Sequence, residues 1–319
     1  MKKVFLSAIT ALLLFSCQND QSESAGSETS ALSRRACATQ DVLEAQLKAD
    51  PTLAIRMNQI EAFTNEQIIK GFSGRLVNGK IEIPVVVNVL YRTTAENISN
   101  TQIQSQIDVL NKDFNALNSD FNSVPTLFSG VKANVGITFV LDQVIRKSTT
   151  KSSWGTRDAM KKPNQGGIAP TSPTTKLNLW SCTIGGGILG YAQFPGGSSA
   201  TDGVVIDPKY FGVSGSANAP YNLGRTGTHE VGHWMNLRHI WGDATCGSDL
   251  VSDTPTHNTA NYGVPAYPHY STCSGTPVEM TMNYMDYTDD AGMYMFSNGQ
   301  KSRMAAIFVS GGPRAAFGI

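Results

Sequence analysis

The 319-residue sequence predicts an α+β fold: a twisted mixed sheet backed by one helix, then an irregular C-terminal half closed by a last helix. Three observations carry this. "KIEIPVVVNVLYR" (80–92) is β-branched nearly throughout, as a buried strand is. In "SNTQIQSQIDVLNKDFNALN", Ile103, Ile107, Leu110, Phe114 and Leu117 share one helical face, so this helix backs onto the sheet. From about Asp243 onward turn residues dominate until "SNGQKSRMAAIF" restores a helical pattern.

The elements follow in chain order. "MKKVFLSAITALLLFSC" has two lysines and an apolar run from Val4 to Phe15, the layout of an export signal rather than a membrane span. Cys17 closes that run after "LLFS", which resembles the lipobox of bacterial lipoproteins; Cys17 is then the lipidated first residue, with plain signal cleavage as the alternative. Residues 18–33 are small, polar and acidic and read as a flexible tether. Export, to the medium or to a bacterial cell surface, implies an oxidising compartment in which cysteines pair.

Residues 34–74 form a separate piece. Leu43, Leu47, Ile55, Ile60 and Ile68 suggest two short helices broken at Pro51. The piece is too small to hold a core of its own, so it packs on the rest or is a removable prosegment. Gly71, Gly74 and Gly79 then mark a junction, "GFSGRLVNGK", before the main domain, 75–319. Ser99 and Gln102 predict a capping box at the start of the backing helix. "VGITFVLDQV" alternates Val135, Ile137, Phe139 and Leu141 as a half-buried strand does, and "KLNLWSCT", "LGYAQFP" and "DGVVID" read as three more strands. "TIGGGILG" lacks the GxGxxG spacing of a nucleotide loop. Lys+Arg and Asp+Glu both count 25, so nothing points to a nucleic-acid partner; a monomer is expected.

The chemistry concentrates in "HEVGHWMNLRH", 229–239. On a helix, residues four apart share a face, so His229 and His233 can grip one metal ion. Glu230 lies beside them, able to reach a water on that ion without being a ligand; this is the zinc-protease reading of HExxH. Two surface histidines on an amphipathic helix are the plain alternative. His239 decides between them. It follows His233 by six and reaches the same metal only if the helix ends and the chain turns back. Such a turn needs positive φ, and Asn236 is the usual second choice after glycine.

"HEVGHWMNLRHIW" resembles the HExxHxxGxxH signature of the metzincin metalloproteases, with Asn236 in place of the glycine. "HEVGHW" and the downstream "CG…DTP" are most similar to the pappalysin family, including the ulilysin-like bacterial enzymes. "MTMNYMDYTDD" resembles the family's Met-turn, with Met285 as the floor beneath the metal. The resemblance spans roughly residues 81–310. It implies peptide-bond hydrolysis at one zinc held by three imidazoles, with a water brought towards a pKa of ~7. Glu230 would act as general base and Tyr287 would steady the oxyanion. A peptide or protein substrate would add to the edge strand "LGYAQFP" at Gly190 and Tyr191. Asp290, with Asp289 beside it, would lie in the pocket after the scissile bond and favour Arg or Lys; a solvated acidic turn or a calcium site competes.

Asp243, Asp249, Asp253 and Thr254 offer hard oxygens suited to calcium, which the family often carries here. Cys246 and Cys273 match a family disulfide, and Cys182 has no obvious partner. Cys37, in "RRACATQ", resembles the latency cysteine of matrix metalloproteases, although Ala38 replaces their glycine; its thiolate would fill zinc's fourth position, and pairing with Cys182 is the competing use. Cleavage before arginine would also cut Gly74–Arg75 and release the prosegment. A catalytically idle zinc-stabilised binding protein would not need Glu230. In another metzincin family Glu (astacins) or Ser or Thr (matrix metalloproteases) follows the third histidine, where this chain has Ile240.

Overall fold

The strand predicted from "KIEIPVVVNVLYR" is β1, Ile81–Tyr91, the second strand of a five-stranded sheet. From Val85 to Leu90 it is buried on both faces, which is why that stretch is apolar almost without alternation. Ile83, Val85, Val87 and Val89 join the main core, while Leu90 faces a second cluster with Trp180, Tyr191 and Val205. The computed structural model describes residues 34–71 and 81–317. The expected export signal with Cys17, the tether and the Gly74–Arg75 bond lie outside the described residues.

The sheet order is β2-β1-β3-β5-β4, with β2 Ile137–Ser148, β3 Leu177–Ser181, β4 Gly190–Ala192 and β5 Val204–Ile206. All neighbours are parallel except β4, which runs antiparallel to β5. β4 is thus one of the two edge strands, as expected for "LGYAQFP". The backing helix α3, Asn100–Asp113, buries Ile103, Ile107 and Leu110 against the sheet. Its end differs from expectation. Ala116 takes φ +53°, which turns the chain and leaves Leu117 70% exposed. The capping box is half formed: Ser99 accepts from the Gln102 backbone, but the Gln102 side chain donates to the Pro208 and Phe211 carbonyls instead of returning. A complete capping box, Ser297 with Gln300, starts the last helix α5, Asn298–Ala306.

Residues 34–71 fold with the main body from Arg34 onward. They form α1, Thr39–Ala49, and α2, Thr52–Lys70, broken at Pro51 as expected. The predicted apolar face is only partly right. Leu43 is buried, but Ile55 is 60% and Ile68 39% exposed. α2 lies on α5 and is held through Leu53 and an ion pair from Glu61 to Arg303, so its isoleucines stay outside. Cys246–Cys273 is a disulfide across the irregular C-terminal region. The helix that carries the site, α4, is Arg225–Trp234, fully buried and entered through Gly224 at φ +78°.

Candidate active site

α4 sets His229 and His233 one turn apart, with Nε2 atoms 3.1 Å from each other. The helix ends at Trp234, and Asn236 takes φ +73°, so the chain doubles back as its asparagine predicted. Leu237 donates its N–H to the Gly232 carbonyl and closes the turn at 3.0 Å. His239 then arrives with Nε2 3.0 Å from that of His233.

Each imidazole is aimed by its other nitrogen. Nδ1 of His229 donates to the Tyr284 carbonyl at 2.7 Å, and Nδ1 of His233 to the Leu237 carbonyl at 2.8 Å. Nδ1 of His239 meets the carboxylate of Asp243. A carbonyl can only accept, so the proton sits on Nδ1 and the Nε2 lone pairs of His229 and His233 point inward. Burial, reinforced by the neighbouring imidazoles, lowers the pKa of His233 to about 3 and that of His229 well below the usual range. Neutral imidazoles whose lone pairs converge are the donor set that zinc takes. Cys37 Sγ completes it: one donor atom from each of the four residues lies within 4.8 Å of the others. Cys37 and Cys182 are both free thiols, so the competing disulfide does not form.

Glu230 is 1% exposed, and burial pushes its carboxyl up to about 7. Its Oε2 accepts from Thr39 Oγ1 at 3.0 Å and Cys37 Sγ at 3.3 Å. Below the helix lies Met285, fully buried. A Cβ on Gly232 would fall 2.5 Å from its Sδ, so the glycine of "EVGH" admits the methionine floor. Tyr287 stands edge-on to His239, with ring centres 4.9 Å apart, and its hydroxyl donates to the Cys37 carbonyl at 3.1 Å.

Comparison with known proteins agrees with this geometry. The family model described as pregnancy-associated plasma protein-A, a peptidase family, matches residues 182–309. Extracellular metalloprotease 1 of Coccidioides posadasii is 33% identical over 242 residues, covering 72% of this chain and 77% of the relative. The chain is a pappalysin. Among solved structures, mature mirolysin of Tannerella forsythia in complex with a cleaved peptide is 43% identical at TM-score 0.73, covering 75% of this chain and 96% of that one. A promirolysin variant of the same organism is 39% identical at TM-score 0.80, covering 88% and 96%. The chain is therefore a zinc metalloendopeptidase of the metzincin type.

In this pappalysin the N-terminal segment lies along the edge strand. Leu189 N–H donates to the Ala36 carbonyl at 2.9 Å, and Ala38 N–H to the Gly190 carbonyl at 3.1 Å. Gly190 faces the site: a Cβ there would meet Val205 O at 2.8 Å and Glu230 Cγ at 3.0 Å. Tyr191, the other residue expected to meet substrate, borders the cleft by its backbone; its side chain points to the other face, fully buried, with its hydroxyl on Asp158.

Asp290 is fully buried, not a solvated turn. It forms a 2.5 Å ion pair with Arg35 and accepts the Leu223 backbone N–H at 2.8 Å. Arg35 Nε donates to Thr288 O at 3.1 Å, Nη1 lies 3.3 Å from Thr226 Oγ1, and the guanidinium stacks over Tyr221 at 4.8 Å. Asp289 is half-buried at the margin.

The four residues offered for calcium have protein partners here. Asp243 orients His239, Asp249 binds Thr254 Oγ1, and Asp253 accepts from Ser297 and Gly299. Among the described residues they form no second cluster of metal-capable side chains. Arg35, Thr39, Thr226 and Tyr221 escaped the sequence reading. Arg35 alone left a trace, two residues before Cys37 in "RRACATQ".

Proposed function

We propose that this is an exported zinc endopeptidase made as a zymogen, whose residues 34–74 block its own cleft and which cuts before arginine. The observation that carries the reading is double occupancy by one short stretch: Cys37 on the three histidines and Arg35 on Asp290. The solved relatives include both a precursor and a mature form, and the precursor covers more of the chain, 88% against 75%. Export rests on residues 1–17 and on curated relatives that are named extracellular; the lipid on Cys17 rests on the sequence alone.

His229, His233 and His239 would hold zinc, which when bound supplies a Lewis acid to water and to the peptide carbonyl. Glu230, with a carboxyl near neutrality, takes a proton from the attacking water and returns it to the leaving amine. Thr39 and Cys37 occupy that carboxylate until the segment leaves. The Tyr287 hydroxyl, which now donates to the Cys37 carbonyl, then becomes available to the developing oxyanion. Substrate backbone takes the place of residues 36–38 beside β4. Asp290, Thr288 O, Thr226 and Tyr221 form a pocket shaped for a planar guanidinium.

Glu230→Ala tests the chemistry. Zinc content should stay at one per chain while peptidase activity disappears; substantial residual activity would remove Glu230 from the general-base role.

A further inference from the structure

Residues 34–71 cross the cleft in order. Arg35 reaches Asp290, Cys37 reaches the histidines, and the chain from Gln40 onward covers the opposite side, where the Phe194 ring stands 5.5 Å from that of His233. There a cavity of about 180 Å³ lies between Leu43, Met57 and Glu61 on one wall and Phe194, Asn236 and Arg238 on the other.

The charged contact at this place joins the segment to the main body. Glu61 lays its two carboxylate oxygens on Nη1 and Nη2 of Arg303 at 2.8 Å each. Arg303 is 1% exposed. Its other contacts are the carbonyls of Leu250 at 3.3 Å and Asn236 at 3.4 Å, and its Nε finds no acceptor among the described residues. Arg238 is close enough to act on Glu61 electrostatically. The acids of the main body nearby are committed elsewhere. Asp243 holds His239, and Asp249 holds Thr254 and the Val251 N–H, although each lies within electrostatic reach of one of these arginines. Glu61 alone meets the fork of Arg303 with two oxygens. When residues 34–74 go, Glu61 leaves with them and that fork loses both of its carboxylate oxygens. A guanidinium so held makes bidentate, charge-assisted bonds to the next carboxylate that fits.

We propose that Arg303 and Arg238 form an anion subsite in the processed enzyme, which takes an acidic substrate side chain on the N-terminal side of the scissile bond, where Glu61 sits in the precursor. The direction rests on the proposed pocket at Asp290 after that bond and on the order of contacts along the segment, in which Arg35 on Asp290 precedes Cys37 on the histidines and the cavity residues Leu43, Met57 and Glu61 follow it. Glu61 is the ligand's stand-in: the same carboxylate, in the same hands, on a segment of the same chain.

The experiment uses the processed enzyme and peptides that share one sequence with arginine after the scissile bond. Glu or its isostere Gln is placed in turn at the second to fifth positions before the bond, and the cut is located by mass spectrometry. At one position Glu should raise kcat/KM over Gln on the order of tenfold at low salt, the size of one charge-assisted contact, with the ratio shrinking as salt rises. Arg238→Gln and Arg303→Lys should each lower that ratio, Arg303→Lys only in part because the charge survives and the fork does not. A Glu/Gln ratio near one at every position would overturn the proposal, as would a ratio that both variants leave unchanged. A second series replaces the arginine after the bond by alanine. Its loss of preference tests Asp290 alone, because the Glu/Gln ratio is taken between peptides with identical C-terminal halves. A chain that never sheds residues 34–71 overturns the subsite and the zymogen reading together, and N-terminal sequencing reports it.

Discussion

Asn236 shows how much one backbone angle decides. At φ +73° it lets His239 return to His233, and its side-chain Nδ2 makes no hydrogen bond among the described residues. The residue therefore serves through its conformation. Asn236→Gly should hold stability to within about 1 kcal/mol and keep zinc and activity. Asn236→Val should cost about 1–3 kcal/mol and weaken zinc retention, because a β-branched residue resists that region. Denaturant melts with zinc analysis check both; a tolerated valine would show that the turn is held by other contacts. Arg35 uses three nitrogens against Asp290, Thr288 O and Thr226, whereas lysine offers one point of charge. Peptides with arginine after the bond should be cut roughly ten to thirty times faster than lysine peptides, the worth of one or two hydrogen bonds. Asp290→Ala should erase the gap; an unchanged profile would move the specificity to Asp289 or off both aspartates.

At the scale of elements, α4 is held at both ends. Gly224 opens it, and beyond its C-terminal end Arg314 stacks 3.8 Å over Trp234, donates to the Trp234 carbonyl, and forms a two-pronged ion pair with Asp202 at 2.8 and 2.9 Å. Trp234 Nε1 donates to the same aspartate. Arg314→Ala would strand a buried carboxylate, so a loss of about 3 kcal/mol is expected in denaturant unfolding, with Arg314→Lys intermediate. A loss below about 1 kcal/mol would show that the clamp carries little. The loop after α4 makes a different prediction. Burial raises the Asp249 carboxyl from 3.8 to about 6. A raised carboxyl contributes stability that is complete below the unfolded pKa and is lost as pH rises through the folded one. Asp249→Asn keeps an acceptor for Thr254 and the Val251 N–H without the charge. It should melt higher than the parent at pH 7, by up to about 3 kcal/mol for two pKa units, and lose the advantage near pH 4. If the parent were instead the more stable at pH 7, and more so with added calcium, the loop would be a cation site.

For the whole molecule, residues 34–71 are held to the main body at three places, Arg35 on Asp290, Cys37 on the histidines and Glu61 on Arg303, and the proposed latency rests on these anchors. Loss of one anchor should loosen the segment without unfolding the rest, since α2 leaves Ile55, Ile68 and Ile69 outside. Cys37→Ser and Arg35→Ala precursors should each mature earlier than the parent, and N-terminal sequencing should place the new end at Arg75. A start far from Arg75 would refute that site, and unaltered timing in both variants would refute the anchors.

Much of this protein could be read along the chain. The spacing of His229, His233 and His239, the positive φ at Asn236 and the buried strand β1 all arise from neighbours close in sequence, where periodicity and turn chemistry act. Local pattern also misled: it placed Leu117 on the face of a helix that ends at Asp113, before the turn at Ala116. The rest depended on contacts between distant segments. That Asp290 is buried, that Arg35 pairs with it from 255 residues away in sequence, that Asp243 steers an imidazole, and that Gly232 must lack a Cβ for Met285 could be seen only in the folded chain. A carboxylate's role depends on what it faces once water is excluded, and which partner it faces is decided by tertiary packing.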